Sequence, residues 1–307
     1  MTLGDWVRET TTRVADDGLS GVRESLYELY LGGLRRVTPL TPDGASVYTR
    51  DWDLLVVLDG CRVDVLRSVA DEYDWLGPVD THRSPASCSP EWLDATFHDE
   101  AHAETVAETV YVTGNPFSDR QLDHSRLRRV DDLWQTAWDE ELGTIPPRPL
   151  TDRVIETMRA DAPDRLVVHY MQPHFPSPPD PVGDGISLQA FDETWHSPLD
   201  RLRRGRIDAE RVWQSYRANL RYVLDDVELL LSNVNADTVA ITADHGEAFG
   251  EWGVYAHPCG VPVPTLRRVP WVEVSATDTE EYEPTTTEAE TTPTSGVESK
   301  LESLGYV

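Results

Sequence analysis

From Asp53 onward, short runs of β-branched and other apolar residues alternate with longer amphipathic segments. This alternation predicts a parallel sheet covered by helices, because each buried strand is followed by a helix that crosses back over the sheet. The predicted strands are Leu54–Leu58, Thr109–Thr113, Leu166–His169, Thr238–Thr242 and Val269–Val274. The predicted helices are Val63–Glu72, Glu91–Phe97, Asp131–Leu142, Asp152–Ala160 and Asp208–Leu231. We therefore expect an α/β fold with a mostly parallel central sheet and helices on both faces.

The pattern divides the chain into four segments. Residues 1–45 form a helical extension with two helical patterns split by Gly18, which we expect to pack on the main domain rather than to lie on a membrane surface or bind a partner. Residues 46–275 form the main domain. Residues 276–295 are acidic and rich in threonine with almost nothing apolar, which predicts a disordered linker. Residues 296–307 form a short C-terminal segment.

The net charge of the chain limits the kinds of partner it can bind and indicates its habitat. The sequence holds 27 basic and 55 acidic residues, for a formal net charge of −28, and Lys300 is its single lysine. A surface this acidic repels phosphate backbones and anionic lipids, so we expect no nucleic-acid partner. The acid-rich, nearly lysine-free composition resembles that of halophilic archaeal proteins, in which high salt screens the self-repulsion.

The cysteines and the apolar runs indicate a cytoplasmic protein. Cys61, Cys88 and Cys259 are too few and too scattered for a disulfide framework, which favours a reducing interior. No apolar run approaches the roughly 18 residues of a membrane span, and the N-terminus lacks the apolar stretch of a signal peptide. We therefore expect no transmembrane segment.

Acidic and imidazole side chains collect at the carboxyl ends of the predicted strands, where ligands bind in open α/β sheets. Asp59 follows the first strand, Asp244 and His245 follow the fourth, and His174 lies in the loop after the third. Carboxylate and imidazole groups suit one divalent cation such as Mn²⁺, Mg²⁺, Ca²⁺ or Zn²⁺. The alternative is that these residues are helix caps and buried hydrogen-bonding groups.

A possible nucleophile lies at the start of a predicted helix. Ser89 and Pro90 mark the helix start, so Cys88 is expected just outside its N-terminus. The positive end of the helix dipole and a nearby cation would both favour the thiolate of Cys88. The alternative is a buried and inert cysteine.

These residues resemble the sulfatase branch of the alkaline phosphatase superfamily, and in particular its compact archaeal sulfatase-like members. The order of the similar blocks along the chain supports the resemblance. The blocks are Leu55–Asp64, Cys88–Pro90, Val168–Pro176, Ile241–Glu251 and the closing Leu301–Tyr306. The resemblance implies an alkaline phosphatase/sulfatase-like fold. It also implies a metal-dependent hydrolase or transferase acting on a phosphate or sulfate ester, either a small molecule or one linked to a glycan or a lipid.

The resemblance also assigns roles to individual residues. It implies that the metal is held by Asp59, Asp244 and His245, with Cys88 beside it as nucleophile and further ligand. His174 and His257 would bind the ester oxygens or protonate the leaving group, whereas His169 would lie behind the ligands. Asn115 could offer its amide to the substrate, or could instead be a turn-forming residue before Pro116.

The sequence departs from the family pattern at three points. The arginine of the sulfatase Cys-x-Pro-x-Arg motif is replaced by Trp92, so conversion of Cys88 to formylglycine is not expected. The active-site lysines have no counterpart, and Arg62 or Arg83 would have to replace them. Most of the C-terminal subdomain is missing, which leaves substrate selection to loops 114–150 and 173–207. A non-catalytic metal-binding or regulatory protein is the competing hypothesis.

Overall fold

The computed structural model describes residue 11, residues 18–182 and residues 197–285. Its centre is a seven-stranded sheet in the order β2-β9-β6-β1-β5-β3-β4. The strands are β1 (Leu54–Leu58), β2 (Asp80–Arg83), β3 (Thr109–Thr113), β4 (Arg129–Asp132), β5 (Arg165–Tyr170), β6 (Ala236–Thr242) and β9 (Arg268–Ala276). A separate hairpin pairs β7 (Ala248–Phe249) with β8 (Tyr255–Ala256). Strands β6, β1, β5, β3 and β4 run parallel, and β9 is antiparallel to both of its neighbours. The predicted mostly parallel sheet is therefore confirmed.

Helices connect the strands and cover the sheet. They are α1 (Leu19–Val37), α2 (Val63–Arg67), α3 (Ser89–Phe97), α4 (Ala103–Glu108), α5 (Ser118–Gln121), α6 (Trp134–Ala137), α7 (Pro147–Ala160), α8 (Pro198–Arg203), α9 (Ala209–Leu231) and α10 (Pro264–Arg267). No helix in the described part of the chain is both long enough and apolar enough to cross a membrane.

The sheet has a hydrophobic core on each face, as the alternation of side chains along a strand requires. In β1, the side chains of Leu54, Val56 and Leu58 join a core that includes residues of α7 and α9. Those of Leu55 and Val57 point to the opposite face and join a core that includes residues of α3. Helices on both faces, predicted from the sequence, are therefore present.

The five predicted strands are all present, but two predicted helices differ from the structure. Val63–Glu72 is an α-helix only as far as Arg67, with a separate 3-10 turn at Ala70–Glu72. Residues 131–142 do not form a single helix, because Arg129–Asp132 pair with β3 as the edge strand β4 and only Trp134–Ala137 are helical. The side chains of β4 are only half-buried. Its polar sequence therefore lacks the apolar alternation that identifies a strand.

The segment after β5 is also different from its prediction. Its Pro- and Gly-rich sequence over residues 173–184 predicts a surface loop, yet His174, Phe175 and Ser177 are buried beneath α9. Asn219 of α9 explains how buried loop backbone is tolerated: its Nδ2 donates to the carbonyl oxygens of Pro173 and His174, at 3.0 and 2.9 Å.

The terminal segments are only partly described. Helix α1 packs on the chain between β7 and α10 through a small apolar cluster that contains Leu31, Val254 and Val261, and the preceding helical pattern lies outside the described residues. The first part of the predicted disordered linker, residues 276–285, is not disordered, because these residues pack on α7. Arg159 binds Asp278 at 2.8 Å and the Tyr282 hydroxyl donates to Asp152 at 2.8 Å. Residues 286–307 are not described.

Candidate metal centre and active site

The sheet brings together the acidic and imidazole residues that the sequence places at strand ends. Strand β1 lies between β6 and β5, so the carboxyl ends of these three parallel strands meet at one edge. Asp59, Asp244 and His245 each offer a donor atom, and the three atoms lie within 4.8 Å of one another. All three side chains are fully buried. This cluster is called the carboxylate-imidazole site below.

The backbone fixes which nitrogen of His245 faces the two carboxylates. His245 Nδ1 lies 2.9 Å from the carbonyl oxygen of Gly246, which can only accept, so Nδ1 carries the proton. The unprotonated Nε2 then lies 3.4 Å from Asp244 Oδ2 and 3.5 Å from Asp59 Oδ1. Burial lowers the pKa of His245, which keeps the ring neutral and able to coordinate a cation.

One carboxylate oxygen of Asp244 is hydrogen-bonded to backbone groups, and the other faces the site. Its Oδ1 accepts from the backbone N–H groups of Gly60 and His245, at 3.1 and 2.9 Å. Its Oδ2 is buried and accepts no hydrogen bond from the described residues. Burial acts to raise the pKa of Asp244, but interactions with His245 and His169 and the hydrogen bond from the N–H of Gly60 together hold the pKa below its usual value. A buried carboxylate of this kind is stabilised by a cation.

Two glycines let the backbone take this course. Gly60 has a φ of 68°, a conformation that favours glycine and that turns its N–H toward Asp244. A Cβ at Gly246 would lie 2.0 Å from the carbonyl oxygen of Thr265, so only glycine fits between His245 and Glu247.

The structure corrects the prediction for Cys88. Cys88 and Cys259 form a disulfide, so the expectations that the cysteines are unpaired and that Cys88 supplies a thiolate are wrong in this structure. Cys88 is the extended N-cap of α3, and its Sγ lies with Cys259 and Glu91 rather than with the carboxylate-imidazole site. Cys61 is the free cysteine among the described residues, and it is buried.

Ser89 takes the position expected for Cys88. Its Oγ lies 3.2 Å from His245 Nε2 and 3.4 Å from Asp59 Oδ2, and the residue is fully buried at the N-terminus of α3. The sequence signal was available, since Ser89 directly precedes the Pro90 that marks the helix start. The Cys-x-Pro spacing of the family that the sequence resembles predicts the nucleophile one residue earlier, at Cys88.

A second group of ligand-type residues adjoins the first. Donor atoms of His174, Glu247 and His257 lie within 4.8 Å of one another. His257 Nδ1 lies 3.0 Å from Glu247 Oε1, and the His257 ring stacks on His245 with 4.6 Å between ring centroids. Burial lowers the pKa of His174 to about 3 and that of His257 to about 4, and it raises the pKa of Glu247 to about 7. Glu247 was not assigned a role from the sequence.

His169 lies beside the same two carboxylates, and its expected place behind the ligands stays a prediction. Its Nε2 is 3.7 Å from Asp244 Oδ2 and 4.0 Å from Asp59 Oδ2, and its Nδ1 is 2.8 Å from the Tyr111 hydroxyl. Burial lowers the pKa of His169 to about 4, so the ring is neutral.

Asn115 and Arg62, both predicted to bind substrate, contact protein groups in the structure. Asn115 Nδ2 donates to Asp59 Oδ2 at 3.0 Å, and its Oδ1 accepts from the N–H of Phe117 at 3.0 Å. Arg62 is buried and pairs with Asp64 and Glu251, each at 2.6 Å. The contacts of Asn115 orient a carboxylate of the site, and those of Arg62 hold the start of α2 against the chain after β7. Their contact with a substrate stays a prediction.

In its fold, with a mostly parallel sheet, the chain is similar to solved structures of phosphoethanolamine transferases. The soluble domain of lipooligosaccharide phosphoethanolamine transferase A from Neisseria meningitidis is similar, with 16% identity, a TM-score of 0.50, and coverage of 74% of this chain and 77% of that one. The integral membrane form of that transferase gives 15% identity and a TM-score of 0.51, covering 79% of this chain, which spans 50% of the longer protein. A protein in the alkaline phosphatase superfamily from Vibrio parahaemolyticus gives 12% identity and a TM-score of 0.40, covering 83% of this chain and 70% of that one. No family model and no curated protein matches the sequence.

Proposed function

We propose that this chain is a metal-dependent enzyme that transfers or hydrolyses phosphate esters, with the hydroxyl of Ser89 as nucleophile. The observation that carries the proposal is the position of Ser89 Oγ, 3.2 Å from His245 Nε2 and 3.4 Å from Asp59 Oδ2, in a fully buried cluster of ligand-type groups. A hydroxyl buried among two carboxylates and an imidazole has little structural purpose, whereas it is well placed to attack an ester.

The residues fit one divalent cation. Two carboxylates and a neutral imidazole supply hard oxygen and borderline nitrogen donors, and like charges this close are stabilised by a counter-ion. Asp59, Asp244 and His245 would hold the ion, and Ser89 Oγ lies close enough to complete the set. When bound, a divalent cation neutralises charge on the ester oxygens and favours the ionised form of a nearby hydroxyl.

In the proposed reaction, Ser89 Oγ forms a bond to phosphorus as the bond from phosphorus to the leaving oxygen breaks. The serine proton passes to Asp59 Oδ2. Glu247, whose pKa is raised by burial to about 7, supplies a proton to the leaving oxygen through the His257 ring. Water or an acceptor alcohol then attacks the phosphoserine and gives its proton to Glu247 through the His257 ring. The bond from phosphorus to Oγ breaks, and Ser89 takes its proton back from Asp59.

Two observations favour phosphate over sulfate esters. Conversion of a cysteine to formylglycine requires a thiol, and the sulfur of Cys88 is bonded to Cys259. The arginine of the sulfatase motif is Trp92 here, and its side chain is buried in the core. A serine nucleophile remains, which forms a hydrolysable phosphoserine. The disulfide also favours an oxidising compartment over the reducing interior expected from the sequence.

The test combines elemental analysis with a substrate panel of aryl phosphate, bis-aryl phosphate and aryl sulfate. We expect about one divalent ion for each chain and turnover of at least one phosphate ester. Ser89→Ala should lower kcat by about 10³-fold or more. Thr96→Ala, which removes another buried hydroxyl of α3, is the matched control and should keep most of the activity.

The competing hypothesis of a non-catalytic binding protein makes a different prediction. Bound metal with no turnover on any ester would support it. Full activity in Ser89→Ala would overturn the assignment of the nucleophile while leaving the metal site in place.

A further inference from the structure

The strongly exposed large hydrophobic side chains of the described chain lie together on one surface. They are Leu19, Val22, Leu26, Leu29, Tyr30 and Val37 of α1, Leu40 in the turn that follows, and Trp252. The Tyr30 hydroxyl donates to the carbonyl oxygen of Trp252 at 2.5 Å, which makes the tryptophan continuous with the helix. These eight residues are called the apolar ridge.

Helix α1 carries apolar residues on two faces, because Leu31 packs on the protein while the ridge faces solvent. The buried positions of α1 include Gly21 and Ser25, so the helix rests on the protein partly through small residues. Its large apolar residues recur at the spacing of one helix face and are directed to solvent. From Leu19 to Val37, this face of α1 is roughly 27 Å long. A contiguous apolar surface of that length indicates an interaction site, unlike single exposed hydrophobic residues.

The charge around the ridge is opposite to that of the chain as a whole. The exposed charged residues of α1 are Arg23, Arg35 and Arg36, all basic. Its two acids are half-buried, and Glu24 is paired with Arg203 at 2.5 Å. In a chain with 55 acidic and 27 basic residues, a helix whose exposed charged side chains are all basic favours an anionic partner.

We propose that the apolar ridge binds the surface of an anionic lipid bilayer. An exposed stripe of leucine with flanking arginine and with tyrosine and tryptophan is the composition of helices that lie in the membrane interface. Trp252 supports this assignment independently, because it is 71% exposed and held at a φ of 57°, a strained conformation for a bulky residue. The exposure is explained if the indole inserts among lipid headgroups.

Helix α1 and the turn after it, which carry the ridge, are hydrogen-bonded to the loop that carries His257. Arg35 Nε donates to the carbonyl oxygen of Cys259 at 2.8 Å, and Thr38 Oγ1 donates to that of Gly260 at 2.5 Å. Binding of the ridge would therefore place the carboxylate-imidazole site beside the headgroup layer. The substrate class this implies, a lipid-linked phosphate ester, rests on the proposed function, whereas membrane binding does not.

The net charge of −28 opposes binding only at long range. Charges farther from the bilayer than the Debye length, about 10 Å at 0.1 M salt and about 3 Å at 1 M, are largely screened. Arg23 and Arg36 of α1 are exposed beside the ridge and would lie near the lipid, and burial of the ridge leucines does not weaken with salt. Binding is therefore expected to persist at high ionic strength.

Flotation of the full chain with lipid vesicles tests the proposal. The probes are vesicles of phosphatidylcholine with about one third phosphatidylglycerol and vesicles of phosphatidylcholine alone. We expect binding to the anionic vesicles and at least tenfold weaker binding to the neutral ones. Leu26→Asp/Leu29→Asp should weaken binding at least tenfold at every salt concentration, and Arg23→Gln/Arg36→Gln should weaken it mainly at low salt.

Arg128→Gln is the matched control, since this exposed arginine precedes β4 at the sheet edge and pairs with Asp161. It should bind as the unaltered chain does. Unchanged thermal unfolding of each variant excludes misfolding. Absence of vesicle binding, or equal binding by Leu26→Asp/Leu29→Asp, overturns the proposal. A dimer that dissociates in that variant, without vesicle binding, would assign the ridge to a second copy. Vesicle binding without ester turnover would instead refute only the proposed function.

Discussion

Cys88 and Cys259, which are 171 positions apart in the sequence, are joined by a disulfide with 5.1 Å between their Cα atoms. Cys88 directly precedes Ser89, and Cys259 follows His257 by two residues. The bond therefore ties the N-terminus of α3 to the loop that carries an imidazole of the second ligand group.

Removal of the disulfide is expected to destabilise the fold. The double variant Cys88→Ser/Cys259→Ser should lose about 2–5 kcal/mol of unfolding free energy, because the cross-link restricts a long loop in the unfolded chain. Urea unfolding of the variant and of the unaltered protein, with and without a dithiol reductant, measures the difference.

Cys61→Ala is the control for this measurement, because Cys61 is a buried free cysteine. That variant should keep the response to reductant, whereas the double variant should lose it. A double variant as stable as the unaltered protein would show that the two sulfurs are not bonded in solution.

Chelation of the metal is expected to lower the melting temperature. An ion that binds only the native state at 100 times its Kd contributes about 2.7 kcal/mol, and its removal should lower Tm by several degrees. Differential scanning calorimetry at fixed salt, before and after dialysis against a chelator, gives the shift.

Asp244→Asn tests whether this shift belongs to the carboxylate-imidazole site. The substitution removes a charge whose Oδ2 faces the ligand cluster, so the variant should respond little to chelator. A response equal to that of the unaltered protein would place the ion elsewhere.

Replacement of Asn115 by alanine is expected to weaken the metal site without removing a ligand. Asn115 Nδ2 donates to Asp59 Oδ2 at 3.0 Å, and loss of such a supporting bond typically costs 10–100-fold in metal affinity. Metal titration followed by calorimetry measures the affinity. Asn235→Ala, which removes an amide that accepts from the backbone of Asp278, should leave it unchanged.

The buried histidines predict a fold that is less stable in acid. Burial lowers the pKa of His169 to about 4, of His174 to about 3 and of His257 to about 4. Below the ordinary value of about 6.5, the unfolded chain binds protons that the native chain does not. The free energy of unfolding therefore falls as the pH drops from about 6.5 toward about 4.

Glu247 acts in the opposite sense, because burial raises its pKa to about 7 and the native state takes up that proton first. One carboxyl offsets only part of the effect of three histidines. Urea unfolding of the metal-free protein at pH 7 and pH 5, at constant salt, checks the sign, and equal or greater stability at pH 5 contradicts it.

Much of the fold could be predicted because its central strands are buried on both faces. Leu54–Leu58 and Thr109–Thr113 are continuous apolar or β-branched runs, which leave few alternatives to a central strand. Arg129–Asp132 and Asp80–Arg83 are polar edge strands, and their pairing is decided by neighbours far along the chain. The local sequence pattern of these two segments carries no information about that pairing.

The site could be predicted as far as the strand ends determine it. Asp59, Asp244 and His245 follow parallel strands, so their convergence is a property of the sheet. The pairing of Cys88 with Cys259 depends on how the loop after β8 packs, and the sequence gives no signal for that contact. The direction of the Ser89 side chain could not be predicted either, because that direction changes with each residue at a helix start.

The central position of β1 has a consequence for how the protein loses its site. Asp59 and Asp244 are contributed by neighbouring strands, so separating β1 from β6 would disassemble the pocket and break the middle of the sheet in the same event. Opening of the sheet between these two strands therefore removes the set of groups that would hold an ion. Global cooperativity should be visible as one coincident transition, whether followed by metal release or by loss of backbone circular dichroism.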